Sequence, residues 1–423
     1  MARSARLPLV IRSVAIAAVV AALCALSAPA DASRPGHHQG DRAGTAARAK
    51  KGAKHRAGRC RKRGRRHARA RARARRCRKG PPSSLYWGAS IGEQLTGTQA
   101  PWDMNAVTSF ESMAGKQLSL IHFFAPFANC ESSPCSFYDF PTKAMENVRQ
   151  HGAIPFFSWS SQSIPAKVDQ PDFQLSDVIA GTYDSYIRSF AESARAWGHP
   201  FFLRFNWEMN GDWFAWSEGA NGNRAGEYVA AWRHVHDIFT AAGATNATWT
   251  WCPNVDFRNK LQSLDSVYPG DGYVDWTCLD GYNWGTNPAS PQGWMSFDEI
   301  YQSTYHEIVD QIAPGKPMVI GETAATEQGG SKSAWIRKML TNLPTAYPKV
   351  RGLVWFDRYD SNMDWPLQSS SSAASAFANG IQDHSYVPNR YSNLAAGPIP
   401  PPPTYTNTRL TSLRKRPGRR SRS

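Results

Sequence analysis

Phe202-Leu203-Arg204-Phe205-Asn206-Trp207-Glu208-Met209-Asn210-Gly211-Asp212-Trp213-Phe214 is the stretch on which the reading of this chain turns. An apolar run of strand length breaks off into arginine, asparagine and glutamate set among large aromatic rings. Outward from it in both directions, short apolar runs alternate with longer amphipathic ones. The strand candidates are Leu85 to Ile91, Leu118 to Pro126, Ile154 to Trp159, Phe201 to Glu208, Ala247 to Pro253, Val274 to Trp284, Met318 to Thr323 and Gly352 to Arg358. Helix-like segments fall between them at Met104 to Gly115, Thr142 to His151, Asp177 to Trp197, Arg224 to Ala242, Phe297 to Ile312 and Ser331 to Ala346, with only weak helical character around Lys260 to Pro269. Strands separated by helices pair in parallel, because parallel neighbours need a crossover. Eight such units in about 310 residues suit an α/β fold of the closed (β/α)8 TIM-barrel type. A doubly wound open sheet is the alternative; the turn after the first strand, Ser90-Ile91-Gly92-Glu93-Gln94-Leu95-Thr96-Gly97, lacks the glycine-rich phosphate pattern such sheets carry.

Charge divides the 423 residues into parts. The formal net charge is +16, yet residues 31–80 alone hold 20 Lys and Arg against two acids, and residues 401–423 hold seven basic side chains. Residues 81–400 hold 19 basic and 31 acidic side chains, a net −12, and all 16 tryptophans. The average therefore hides an acidic globular body with basic ends. Such a body would repel phosphate, so no specific nucleic-acid partner is expected; polyanion binding would be confined to the arm and salt-sensitive.

Residues 1–30 place Arg3, Arg6 and Arg12 ahead of the apolar run Val14 to Leu26, followed by Ala28-Pro29-Ala30 and Ala30-Asp31-Ala32. This is a secretory signal-peptide pattern, and a secreted, extracellular or wall-associated protein is expected, with a retained N-terminal anchor as the alternative. Residues 31–83 form a basic arm nearly devoid of large apolar side chains, expected to be disordered. Its two readings are a tether to an anionic wall polymer or membrane surface and a solvated spacer. The body spans 84–390, and 391–423 is a Pro-rich basic tail, also expected to be disordered. Loss of the leader with Cys24 leaves Cys60, Cys77, Cys130, Cys135, Cys252 and Cys278. An even number in an exported chain suggests disulfides, and position favours 60 with 77, 130 with 135 and 252 with 278. Neither a Cys-x-x-Cys pair nor a histidine at ligand spacing supports zinc, and no metal or cofactor is expected.

Catalytic groups of such barrels sit where strands end. The fourth strand ends in Glu208. The seventh, Met318-Val319-Ile320-Gly321-Glu322-Thr323, ends in Glu322. Cleavage of a glycosidic bond needs two carboxyl groups: one protonates the leaving oxygen, and the other, ionised, meets the oxocarbenium-like centre. Sugar rings also present C–H faces that pack on aromatic rings. Trp207, Trp213, Trp216, Trp284 and Trp355 all fall at or just past strand ends.

Arg204-x-x-x-Glu208-Met209-Asn210-Gly211-x-Trp213-Phe214, then Asp280-Gly281-Tyr282-Asn283-Trp284 and Ile320-Gly321-Glu322, resembles family 26 of the glycoside hydrolases, the family of β-mannanases, within the clan of barrel glycosidases. The resemblance covers nearly all of residues 84–390. It implies a retaining mechanism with Glu208 as acid/base and Glu322 as nucleophile. It further implies that Tyr282 hydrogen-bonds the nucleophile, that Trp213 and Trp355 line the sugar subsite beside the cleaved bond, and that Arg204 supports the carboxylates. Trp207 stands where the family usually has histidine, which puts substrate identity in question more than the reaction. The expected substrate is β-1,4-mannan; mixed-linkage β-glucan, β-1,3-xylan and a non-catalytic carbohydrate-binding barrel are the rivals. Asp212, Asp280, Asp357 and Asp360 also lie near strand ends, where they bind sugar hydroxyls or cap loops, with Asp280 foremost; His122 at the second strand end either faces the cleft or is a satisfied buried histidine, and a monomer is expected.

Overall fold

The computed structural model describes residues 82–256, 263–288 and 292–403. Eight parallel strands form the barrel: β1 (Leu85–Ile91), β2 (Leu120–Asn129), β3 (Ile154–Ile164), β4 (Phe201–Phe205), β5 (Ala247–Trp251), β6 (Trp276–Asn283), β7 (Met318–Ala325) and β8 (Val350–Asp357). Each pairs with its neighbours in chain order, and β1 closes the ring by pairing with both β8 and β2. At the closing seam Gly88 lies opposite Leu120, where a Cβ would stand 2.2 Å from the Leu120 carbonyl oxygen, so the two strands meet only because residue 88 has no side chain. The expected (β/α)8 barrel is thus the observed one.

The helices are α1 (Met104–Ala114), α2 (Thr142–His151), α3 (Leu175–Ile179), α4 (Asp184–Trp197), α5 (Glu227–Ala241), α6 (Phe297–Glu307), α7 (Lys332–Ala346) and α8 (Ser371–Ile381). Local chemistry sets several of their ends. Asp103 caps α1 by accepting from the Asn105 amide, and Ser296 with Glu299 forms a capping box on α6. The single helix expected over 177–197 is broken between α3 and α4 at left-handed Gly181. The one expected over 297–312 ends as α-helix at Glu307 and finishes in a π turn, Ile308–Ile312. Helix α8 has no counterpart in the sequence reading; its buried face is Ala373, Ala376, Phe377 and Ile381, too small in side-chain volume to mark a strong apolar period. Among the described residues no helix is long and apolar enough to cross a membrane.

The C-terminal segment departs from expectation. Residues 391–403 are not a detached tail in their described part: they run under the N-terminal end of the barrel. The Trp276 indole donates to the Ile399 carbonyl (2.8 Å), the Ile399 amide donates to Thr248 Oγ1 (2.8 Å), and the Tyr86 hydroxyl donates to the Pro400 carbonyl (3.0 Å). Ile399 is 2% exposed, and this segment stoppers the barrel floor beneath Trp276 and Phe202, whose rings meet edge to face at 5.1 Å. The leader, nearly all of the basic arm and residues 404–423 lie outside the described residues.

Two expected disulfides are formed, Cys130–Cys135 and Cys252–Cys278. Cys60 and Cys77 lie outside the described residues.

Candidate active site

The site is built at the C-terminal ends of β3 to β8. Strand β4 stops at Phe205, three residues short of the expected end, because Asn206 (φ 44°) and Glu208 (φ 53°) both adopt left-handed backbone. Such conformations are costly for residues with a Cβ and persist where the surroundings over-determine them. Here they do: Asn206 bonds both the amide and the hydroxyl of Ser161 at 2.8 Å, and the Glu208 amide donates to the Cys252 carbonyl at 2.7 Å. The twist turns the Glu208 side chain over the barrel mouth instead of along the sheet.

Glu208 is 5% exposed. One carboxylate oxygen accepts from Asn254 Nδ2 at 2.9 Å and the other from the Trp213 indole at 2.7 Å. Burial, and next the charge of Glu322, push its pKa up to about 7; the bonds from Asn254 and Trp213 and the charge of Arg204 oppose them. Glu322, also 5% exposed, lies on β7 three residues before its end and accepts from Arg204 Nη2 through one oxygen and from the Tyr282 hydroxyl through the other. Its preceding residue must be glycine: a Cβ on Gly321 would lie 2.4 Å from Cys278 Sγ and 2.7 Å from Asp280 Oδ1. Burial, and the charge of Glu322 after it, hold the Tyr282 pKa well above the ordinary tyrosine value, so that hydroxyl is a standing proton donor to the carboxylate.

Arg204 organises the floor. It is wholly buried, bonded to Asp280 (2.5 Å), to Glu322, and through Nε to Ser158 Oγ (2.7 Å). A buried charge is tolerated only when paired and hydrogen-bonded, and two carboxylates outweigh the burial cost to raise its pKa. His122 completes the cluster, its Nε2 2.7 Å from Ser158 Oγ. Burial, then Arg204 and Arg358, depress its pKa well below the usual histidine value, so it is neutral. Arg204 Nη2 also lies 3.4 Å from His122 Nε2, and since a guanidinium only donates, Nε2 is the acceptor and the ring proton is on Nδ1.

Carboxylate oxygens of Glu208, Asp280 and Glu322 all lie within 4.8 Å of one another. Glu208 and Glu322, 114 positions apart in the chain, therefore converge on one opening. Of the aromatic residues expected here, Trp213 is half-buried and bonded to Glu208, and Trp284 and Tyr282 are half-buried with ring centres 6.1 Å apart. Trp207 is only 6% exposed, and the Arg204 guanidinium lies 4.8 Å from its ring centre, so it acts mainly as a wall for the arginine.

Trp355 requires a correction. It does not line the cleft: its side chain is fully buried on the outer side of the sheet, 5.7 Å from Phe377 of α8 and 6.3 Å from Trp335 of α7. Successive strand residues face opposite sides, and it is Phe356 that faces Tyr282, at 5.6 Å. The ring that backs the cleft wall from behind is the buried Trp365, on the loop after β8, 5.1 Å from Tyr282 and 5.0 Å from Trp284. Sequence reading also missed Asn254 and Ser158. Asn254 follows the fifth strand directly in Cys252-Pro253-Asn254 and is the polar strand-end residue that the strand-end rule would have found. Ser158 carries no local signal.

Residues 135–337 match the model of glycosyl hydrolase family 26. The chain belongs to that family. It is 33% identical over 301 residues to a protein named endoglucanase H from Acetivibrio thermocellus, a match covering 71% of this chain and 30% of that one. It is 41% identical over 177 residues to mannan endo-1,4-beta-mannosidase A and B from Caldalkalibacillus mannanilyticus, covering 39% and 30% respectively. The chain thus spans less than a third of the length of these curated relatives. In fold it is similar to the family 26 domain of an endo-beta-mannanase/endo-beta-glucanase from Prevotella bryantii, with a TM-score of 0.54 at 14% identity, covering 74% of this chain and 93% of that one.

Proposed function

We propose that the protein is an exported retaining glycoside hydrolase that cleaves β-linked polysaccharide by double displacement. The observation that carries this reading is the approach of the Glu208 and Glu322 carboxylate oxygens to within 4.8 Å. Retaining enzymes hold their carboxyl groups about 5–5.5 Å apart, whereas inverting ones leave about 6.5–9.5 Å for a water. Asymmetry of environment assigns the roles. Glu208, with its pKa raised to about 7, keeps a proton to give. Glu322, held by Arg204 and Tyr282, presents an oriented oxygen. In the first step a Glu322 oxygen bonds to the anomeric carbon, the bond to the leaving sugar breaks, and the Glu208 proton passes to the leaving oxygen. In the second, water attacks the same carbon, its proton returns to Glu208, and the ester to Glu322 opens.

The family resemblance favours β-1,4-mannan as substrate. Two observations favour a β-glucan as the second reading: Trp207 in place of the family histidine, and the endoglucanase name of the relative aligned over 71% of this chain. Export by residues 1–30 and tethering by the basic arm belong to the same proposal, and salt elution of the protein from wall preparations tests the tether. Reducing-sugar release from mannan, lichenan and xylan tests the substrate. Proton NMR of the first-formed anomer and mass-spectrometric mapping of a 2-deoxy-2-fluoroglycosyl label test the mechanism. Retention with the label on Glu322 is expected; an inverted first product, or a label on another carboxylate, overturns it.

A further inference from the structure

The first residue of α7 is a lysine with no exposed surface, a rare place for that side chain. The Lys332 ammonium sits within hydrogen-bond distance of the carbonyls of Asp364 (2.5 Å), Trp365 (3.1 Å) and Pro366 (2.8 Å) and of Ser369 Oγ (2.8 Å), so its three hydrogens serve four acceptors and one is shared. Beneath it lies the ring of Trp355, 5.9 Å away, which gives that misplaced tryptophan a part to play. All four acceptors belong to the excursion 358–369 that follows β8. Its other anchors are Asp357, whose carboxylate accepts from the Leu367 amide (2.7 Å) and from Gln368 and Gln94 (2.9 Å each), and Asp364, whose carboxylate accepts from Thr326 Oγ1 (2.5 Å) and the Glu327 amide (3.0 Å) just past β7. Between these anchors stands Trp365, 2% exposed, packed on Tyr282, whose hydroxyl donates to Glu322.

We propose that Lys332 is a positioning residue: by drawing three successive carbonyls to one point it fixes Trp365, and Trp365 holds Tyr282 against the nucleophile. Three buried carbonyls aimed at one spot need several donors there, because each left without one costs its desolvation. An ammonium carries three, and no neutral side chain offers as many at a single atom. Burial pulls the Lys332 pKa down to about 8, with Asp364, Glu327 and Asp357 opposing, so the ammonium persists at neutral pH. The proposal rests on Glu322 as the nucleophile.

A double-mutant cycle of Lys332→Met and Trp365→Phe, read on kcat, KM and thermal unfolding, tests it. Lys332→Met, assayed well below its unfolding transition, is expected to lose about tenfold in kcat with KM changed by less than about threefold, and to add less than about twofold to the loss already caused by Trp365→Phe. A folded Lys332→Met protein whose kcat stays within about twofold of wild type, or losses that multiply in the double variant, would make Lys332 a stability residue only. If Lys332→Met does not fold, Ser369→Ala and Thr326→Val each remove one anchor. Losses of about two- to threefold that fail to multiply with Trp365→Phe are then expected, and unchanged kcat in both overturns the proposal. A wild-type protein that hydrolyses no β-glycan would remove the functional reading and this inference together; an active wild type with an indifferent Lys332 removes the inference alone.

Discussion

Replacing Glu322 by glutamine should lower the pKa of Glu208 from about 7 by between one and two units. Two unit charges separated by the 4.8 Å bound on these oxygens interact by about 3.5 kcal/mol at an effective dielectric near 20, or about 2.5 pK units. Part of that repulsion is already cancelled, because Arg204 is bonded to Glu322 and its charge also lowers the Glu208 pKa. The fall is therefore smaller than the bare figure, and burial, the larger cause of the raised value, remains in the variant and keeps the carboxyl above its ordinary range. The glutamine is nearly the same size and still accepts through its carbonyl, so the cleft should be preserved. The measurement is a carbon-13 titration of selectively labelled glutamate in wild type, Glu322→Gln and Glu208→Gln, the last assigning the signal. A Glu208 pKa that stays at its wild-type value in Glu322→Gln would mean that the two groups do not share a site, and the proposed mechanism would lose its geometric basis.

Three further outcomes follow from the same contacts. With a protonated acid of pKa about 7, kcat/KM should fall as pH rises through about 7; Asn254→Ala, by removing a bond that favours the ionised form, should move that limb upward by about one unit while lowering turnover, as pH–rate profiles would record. Opening Cys252–Cys278, which ties the residue just past β5 to the third residue of β6 across 26 positions, by a double change to serine should cost about 3 kcal/mol, read as a lower melting temperature and denaturant midpoint. Ile399→Asp should destabilise the barrel by about 3 kcal/mol through an uncompensated buried charge at its floor, yet leave kcat/KM within about twofold when assayed below the transition; an unchanged melting temperature would show that the 391–403 segment does not close the barrel.

Much of this was legible from the chain. The alternation of apolar runs placed all eight barrel strands, β1 to the residue, because each period depends on a few neighbouring side chains. Glu208 and Glu322 were legible as strand-end carboxylates. The pairings 130–135 and 252–278 followed from proximity in sequence or in neighbouring strands. Less local features were not. Helix α8 buries mostly alanine and so leaves a faint pattern, while residues 399–402 are recognised by carbonyl and amide bonds to Tyr86, Thr248 and Trp276, which no local composition reports.

By itself, then, the order of residues determined a closed parallel barrel, its acidic charge, and two glutamates borne by the fourth and seventh strand units, all properties of pattern over short windows. Only the folded chain decided which faces those patterns present. Trp355 and Phe356 are equally apolar neighbours, but β8 shifts register against β7 between Ile320 and Thr323, and a slip of one residue exchanges the inner and outer faces of a strand. The same holds for charge: the raised pKa of Glu208, the neutral His122 and the ammonium of Lys332 are set by burial and by partners that lie from 4 to 236 positions away, and electrostatics follows distance in space, which the chain acquires only when the barrel closes.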